Sequence, residues 1–453
     1  MAAYVQLFGY LVILQRLFQG ECAIQFRRKL TIGGVTFKKA ISSNNNWTIS
    51  TSEKAPLYDG YEVDILMVAD FSLYSGFIEI LNGDEYSAQF AVNNYLNAIF
   101  EQVRAVYENN TVFENEIISL NLVATFVVIR EQDCPLMRTN KSENDTYSDN
   151  STSMDLSMNA LDAVHVVHEW ISKYSEWLPP HDHAIVITKF DLLSPKGDSS
   201  TQGMAYVGAM CRGSQSASVV EDIGAMATAM IAAHELAHSL GAFHDGSGES
   251  SHCDSTLNYI MAPMVSGSDD NEKFRNSFKL SKCSLKQIET FLVNDTSLCM
   301  RRHRGREKRL RRTSNSAGRR KPGEIFLQQH QCKIAFGPDY GVCKHREYLR
   351  KKDPCRRLWC KNRNTKRFAS CETKNYLPLL DGTMCGPHKA SWCIAGNCVD
   401  SNKEDNNCVD VNASLCTSLS AVKRTRYCKS VKFSAICCFT CSTRRSTKKS
   451  LRR

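Results

Sequence analysis

Long apolar runs are nearly absent from this chain of 453 residues. Only Ala2 to Phe18 forms one, so no segment beyond it supplies the roughly 20 apolar residues that a membrane-spanning helix needs. That run reads as a signal peptide over 1–20, although it lacks a basic start and a strong small-x-small cleavage site. No nucleic-acid motif is present, which sets aside DNA or RNA as a partner. Basic residues are scarce between 61 and 300, where 13 Lys and Arg face 33 Asp and Glu. Acidic residues are scarce from 301 to 453, where 37 Lys and Arg face 11 Asp and Glu. A formal total of +10 therefore hides an acidic front of −20 and a basic back of +26.

Cysteine is abundant instead. Six of the 20 lie at or before Cys299 and fourteen between Cys332 and Cys441, the clustering of a disulfide-stapled, exported chain. Seven Asn-x-Ser/Thr sequons, at Asn46, Asn109, Asn140, Asn144, Asn150, Asn294 and Asn412, agree with export and are expected glycosylation sites. In that setting the basic half is expected to meet heparan sulfate or other sulfated glycans; the plainer alternative is a solvated surface with no partner.

The most specific chemistry lies in His234-Glu235-Leu236-Ala237-His238-Ser239-Leu240-Gly241-Ala242-Phe243-His244-Asp245. The helix-prone run Met226–Ala233 precedes it, and His234 and His238, four apart, share one helix face. Two imidazoles so placed can both reach one Zn²⁺. Gly241 permits a positive φ that ends the helix and turns the chain back, so that His244 supplies a third nitrogen. Three protein ligands leave a fourth position open, as a catalytic zinc site requires. Glu235 sits beside the metal without ligating it, where a carboxylate can take a proton from water.

From Tyr61 onward strands and helices alternate. Val63–Val68 and Ala184–Thr188 read as strands, as does the β-branched run Ile117–Ile129. Val92, Tyr95, Leu96, Ile99, Val103 and Val106 recur at helical spacing, as do Leu161, Val164, His168 and Ile171. His165 and His168 read as surface or core histidines. This alternation predicts an α/β sheet with helices on both faces.

The zinc motif resembles the metzincins, and Asp245 after the third histidine points to their reprolysin (adamalysin) branch. The resemblance runs from Tyr61 to Cys299. It implies that Met261, in Asn258-Tyr259-Ile260-Met261-Ala262-Pro263, forms an apolar floor beneath the zinc. It implies that Gly203–Cys211 is the edge strand on which substrate lies extended, and that Asp182–Thr188 is a central strand with its entry. Ala237 and Ser239 replace the family's usual Gly and Asn. The resemblance also implies Cys211–Cys299 and Cys253–Cys283 disulfides, and Ca²⁺ at Asp64, Asp182 and the Cys299 carbonyl, although Arg302 stands where the family has an oxygen ligand. Cys134 is left to pair with Cys22 or to stay free. Reprolysin-like enzymes carry a long inhibitory propeptide for which 21–58 leaves no room, and Cys22 lacks the context of a zinc-blocking thiol.

Within 301–322 both Arg306-Glu307-Lys308-Arg309 and Arg309-Leu310-Arg311-Arg312 fit a proprotein convertase, or serve as a charged tether. The eight cysteines from Cys332 to Cys398, with Leu358-Trp359-Cys360 and Asp381-Gly382-Thr383-Met384-Cys385-Gly386, resemble the disintegrin-like module of the ADAM-with-thrombospondin-motifs family. No Trp-Ser-x-Trp repeat follows. Cys408, Cys416, Cys428, Cys437, Cys438 and Cys441 resemble a protease-and-lacunin module, with a channel-toxin-like knot as second choice; six cysteines allow fifteen pairings. Lys196-Gly197-Asp198 reads as an accident of a loop.

The expected organisation is a signal peptide over 1–20, a short pro or linker segment over 21–58 and a zinc metallopeptidase domain over 59–300. A basic linker over 301–322, a disintegrin-like Cys-rich module over 323–400, a six-cysteine module over 405–442 and a basic tail over 443–453 follow. The expected fold is an α/β metzincin catalytic domain with a mixed, mostly parallel sheet, plus small disulfide-rich C-terminal modules. The expected activity is that of a secreted, zinc-dependent endopeptidase cleaving extracellular or matrix proteins. The alternative is a secreted adhesion protein with a vestigial protease domain, against which an intact Glu235 argues.

Overall fold

The computed structural model describes residues 58–113, 117–138, 157–303, 320–345, 348, 353–366, 368–386 and 391–400, with short strands before residue 37 and scattered positions from 416 to 441. Cys22, Asn46, Asn140, Asn144, Asn150, Asn412, the basic runs of 306–312 and the tail of 443–453 lie outside the described residues.

Five strands form the core of the main sheet in the peptidase region: β1 (Tyr58–Ala69), β2 (Ile118–Val128), β3 (His183–Thr188), β4 (Gly203–Ala205) and β5 (Ala217–Glu221). They lie in the order β4-β5-β3-β1-β2. The β5–β3, β3–β1 and β1–β2 pairs are parallel, and β4 alone runs antiparallel on β5. The sheet is thus mixed and mostly parallel. Beyond β2 it continues into a hairpin of Ala3–Leu7 and Tyr10–Leu14, residues read above as a leader. A short strand β6 (Arg301–His303) returns to pair antiparallel with the start of β1.

The central strands are apolar on both faces because helices cover both. Val63, Ile65 and Met67 of β1 point into one hydrophobic cluster, Leu66 and Val68 into another. On the first face lie α1 (Phe71–Ile80), the 24-residue α2 (Glu85–Glu108) and α4 (Ala225–Ser239); on the second lies α3 (Ala160–Tyr174). Asp70 starts α1 by accepting from Leu73 N at 2.9 Å, and Asp84 starts α2 by accepting from Ser87 N at 3.0 Å. Cys134, for which two fates were open, is a free and fully buried thiol with Sγ 3.9 Å from Asp70 Oδ2.

By contacts the chain divides into two units, 1–385 with 393–398, and 386–392 with 399–453. In the second, Cys416–Cys437 and Cys428–Cys441 are bonded. In the first, Cys332–Cys360, Cys343–Cys371, Cys355–Cys393 and Cys385–Cys398 staple the segment around helix α6 (Gln328–Phe336). That segment shares the peptidase core: Phe326, Ile334 and Leu377 belong to the same cluster as α2 and α4, and the Phe326 ring lies 5.6 Å from that of Tyr95. Charged side chains from both parts bridge them too. Lys189 Nζ donates to Ile334 O at 3.0 Å, Lys374 Nζ to Ile223 O at 2.7 Å and Arg357 to Gly267 O at 2.6 Å.

Candidate metal centre

Helix α4 delivers two imidazoles and its exit delivers the third. Gly241, at φ +93°, closes the helix by donating to His238 O at 2.8 Å, and the chain doubles back to His244. Positive φ is readily open to glycine and strained for other residues, so this turn fixes where the third imidazole arrives. His244 Nε2 lies 3.1 Å from both His234 Nε2 and His238 Nε2. Three nitrogens at 2.0–2.1 Å from one tetrahedral zinc ion stand about 3.3 Å apart, so the separation fits the metal.

The opposite ring nitrogens set the tautomers. His234 Nδ1 donates to Ile260 O at 2.7 Å and His238 Nδ1 to Ala242 O at 2.7 Å. A carbonyl only accepts, so each Nδ1 carries the proton and each Nε2 turns a lone pair to the common point. Burial, then the neighbouring imidazoles, push the His234 ring well below its ordinary pKa and that of His238 down to about 4; burial lowers His244 as well. All three are neutral at physiological pH, the form that binds a metal.

Glu235, beside the first of these histidines, is 4 % exposed, and burial pushes its carboxyl up to about 8. Met261 is fully buried, and the turn that carries it is tied to the site twice. Ile260 O accepts from His234, and Met261 O accepts from Asp245 N at 2.8 Å. Asn258, in the left-handed region at φ +65°, staples the same turn to the Ser266 and Lys273 carbonyls at 3.0 Å. Asp245 accepts from Ser281 at 2.7 Å.

Cys211 is bonded to Cys299 and Cys253 to Cys283. The second bond closes a separation of 30 residues next to the site, worth about 3–4 kcal/mol in the chain-entropy view. The edge strand is shorter than Gly203–Cys211: past Ala205 the chain leaves β5, because Gly208 N and Met210 N donate instead to His238 O and Ser239 O, at 2.9 and 3.0 Å. His165 is exposed beside Glu169, His168 is buried on α3, and neither joins the triad.

Asp64, midway along β1, and Asp182, just before β3, are neighbours, but with protein donors on their oxygens. Asp64 N donates to Asp182 Oδ2 at 2.9 Å and the Asn121 amide donates to Asp64 Oδ1 at 3.1 Å. Calcium takes six to eight oxygens. Asp64 and Asp182 are not among the groups of three converging His, Cys, Asp or Glu side chains in the described residues.

Residues 59–275 match metallo-peptidase family M12, and residues 322–399 match the ADAMTS cysteine-rich domain 2. The chain is 34% identical over 221 residues to human (Homo sapiens) "A disintegrin and metalloproteinase with thrombospondin motifs 16", covering 48% of this chain and 16% of that protein. It is 28% identical over 314 residues to "A disintegrin and metalloproteinase with thrombospondin motifs 20" of Mus musculus, covering 69% and 14%. The chain thus spans less than a fifth of the length of these two relatives. Among solved structures, archaemetzincin from Methanopyrus kandleri aligns at 14% identity and TM-score 0.29, over 52% of this chain and 98% of that one, too weakly to carry an argument. A match to metallo-peptidase family M12 followed by a match to the ADAMTS cysteine-rich domain 2 fits an ADAMTS-like metzincin.

Proposed function

We propose that this chain is a secreted zinc endopeptidase that cleaves extracellular proteins. The observation that carries the reading is the convergence of three neutral Nε2 atoms with a buried carboxylate on the adjoining residue. His234, His238 and His244 would hold a zinc ion, which would supply Lewis-acid polarisation of a water and of the scissile carbonyl. Glu235 would take the proton from the attacking water and pass it to the departing amine. Strand β4 ends the sheet, and its outer edge offers backbone groups to an extended peptide. Digestion of a peptide library by the full chain tests this. Cleavage that a zinc chelator abolishes and added zinc restores is expected; a library left intact by the zinc-loaded protein would sink the reading and favour the adhesion alternative.

The reading extends to the basic half, which we take to hold the protein on heparan sulfate. Its support is the surplus of Lys and Arg beyond residue 300. Exposed charges act over about 8 Å at physiological ionic strength, so retention on heparin should fall steeply with salt. Convertase cleavage after Arg309 or Arg312 at first suggests release of an acidic protease from a basic anchor. The packing of Phe326, Ile334 and Leu377 into the peptidase core opposes that, because the two pieces remain joined without a covalent bond. We therefore expect the cut protein and an uncut variant with Arg309→Ala and Arg312→Ala to leave a heparin column at the same salt, each with its peptidase region. A peptidase fragment emerging alone at low salt would overturn the retention. Of the seven sequons, Asn109 and Asn294 lie among the described residues, exposed at the ends of α2 and of helix α5 (Lys282–Val293), positions open to glycans.

A further inference from the structure

Glu235 has a neighbour that no hydrogen bond describes. Gly203 opens the edge strand β4, and its φ lies outside the left-handed region, so its backbone does not call for glycine. Space does. A Cβ at position 203 would stand 2.6 Å from Glu235 Oε1, 2.8 Å from its Cγ and 2.9 Å from its Cδ. Contacts that short are far inside the 3.5–4.0 Å at which non-bonded atoms attract.

The strand has little room to retreat. Gly203, Met204 and Ala205 are in register with Val220, Val219 and Ser218 of β5. Just beyond, Gly208 N and Met210 N are fastened to the His238 and Ser239 carbonyls at the end of α4. This stretch is thus held by β5 at one end and by the end of α4 at the other. What can move is the far end of the Glu235 side chain.

We infer that Gly203 is a positioning residue for the general base: its bare Cα forms the wall that sets where the Glu235 carboxylate stands relative to the three imidazoles. This deepens the peptidase reading and rests on it. Because β4 is also the strand expected to carry the substrate, the same contact ties the position of the base to the position of the scissile bond. A misplacement of about 1 Å in a catalytic group can lower the rate about 10²-fold.

The test is Gly203→Ala in the full chain, beside Gly76→Ala on α1, where a new Cβ meets nothing closer than Lys189 Cε at 3.9 Å. Gly203→Ala is expected to lower kcat by about 10²-fold, with KM within about threefold and zinc content unchanged. Gly76→Ala is expected to leave all three alone. A crystal structure of Gly203→Ala should show the Glu235 carboxylate displaced. A double-mutant cycle of melting temperatures covers the event that the variant folds poorly, since any loss caused by Gly203→Ala should vanish in the Glu235→Ala background, where the new methyl group has room. Unchanged kcat, an unmoved Glu235, lost zinc, or a stability loss that persists without Glu235 would each overturn the assignment. If instead the parent hydrolyses nothing while Gly203→Ala still displaces Glu235, the peptidase reading fails and the contact stands.

Discussion

Glu235→Ala should keep its zinc and its fold while losing about 10²–10⁴-fold in peptide hydrolysis. The residue is next to a ligand, yet the nitrogens that converge belong to His234, His238 and His244. Removing Glu235 therefore takes away proton transfer and leaves the metal's donors in place. His244→Ala is the contrast: it removes the ligand delivered by the Gly241 turn, so zinc content and activity fall together. Zinc analysis and kcat, measured on both variants, separate the two roles. Full activity in Glu235→Ala would end the general-base assignment. The stability of the metal-free chain offers a second readout with a definite sign. Burial holds the Glu235 proton up to about 8, whereas in the unfolded chain the carboxyl titrates near 4.3. Between those values the folded state binds the extra proton, so this residue lowers stability increasingly as pH rises, and Glu235→Ala should gain on the parent across that window.

Lys189→Ala should destabilise the protein by about 3–5 kcal/mol, the usual consequence of removing one partner from a buried ion pair. Asp222 is fully buried, with Lys189 Nζ 2.8 Å from Oδ2 and the Tyr95 and Thr228 hydroxyls donating to Oδ1 at 2.6 and 2.7 Å. Burial alone would raise its pKa, but the Lys189 ammonium and these hydrogen bonds outweigh it and hold the carboxyl below its ordinary value. A depressed carboxyl contributes stability above its unfolded pKa and loses it as pH falls through the folded one. The gap between parent and Lys189→Ala should therefore close in acid. Lys189 also donates to Asp222 O and Ile334 O, so the variant loosens both the turn into the zinc helix and the seat of the cysteine-rich segment. Denaturant unfolding against pH measures this. A loss under about 1 kcal/mol, or one that does not depend on pH, would show that the pair is well solvated.

The zinc centre was legible because its parts are local. Eleven consecutive residues hold the three converging histidines, Glu235 and the turn glycine, and helical spacing alone brings His234 and His238 together. Strands β1, β2 and β3 and helices α2 and α3 were legible from apolar runs and from spacing. The edge strand was not read at its true length, because what ends it is a set of backbone donors turning to the helix end, and every residue has such donors. The Lys189–Asp222 pair, the Ser281–Asp245 bond and the Gly203–Glu235 contact join residues 33, 36 and 32 apart. None has a local signal: a lone Lys just past a strand end or a Gly within one fits many environments, and only the fold selects the partner. The packing of Phe326 and Leu377 on the peptidase core was hidden for the same reason, and a Cys-rich segment looks self-contained when read alone.

That shared core changes the order of a reaction. Among the described residues no disulfide joins 59–303 to 320–398. While the chain is whole, separation and re-docking of the cysteine-rich segment are unimolecular, driven by the high effective concentration that a short tether imposes. A single cut in the linker makes re-docking second order. The complex then gains a dissociation constant, and its survival depends on how much protein is present. In a concentrated matrix the cut pair persists; on dilution it drifts apart and does not readily re-form. A nick at 309 or 312 would act as a delayed release whose timing is set by the off-rate of one interface.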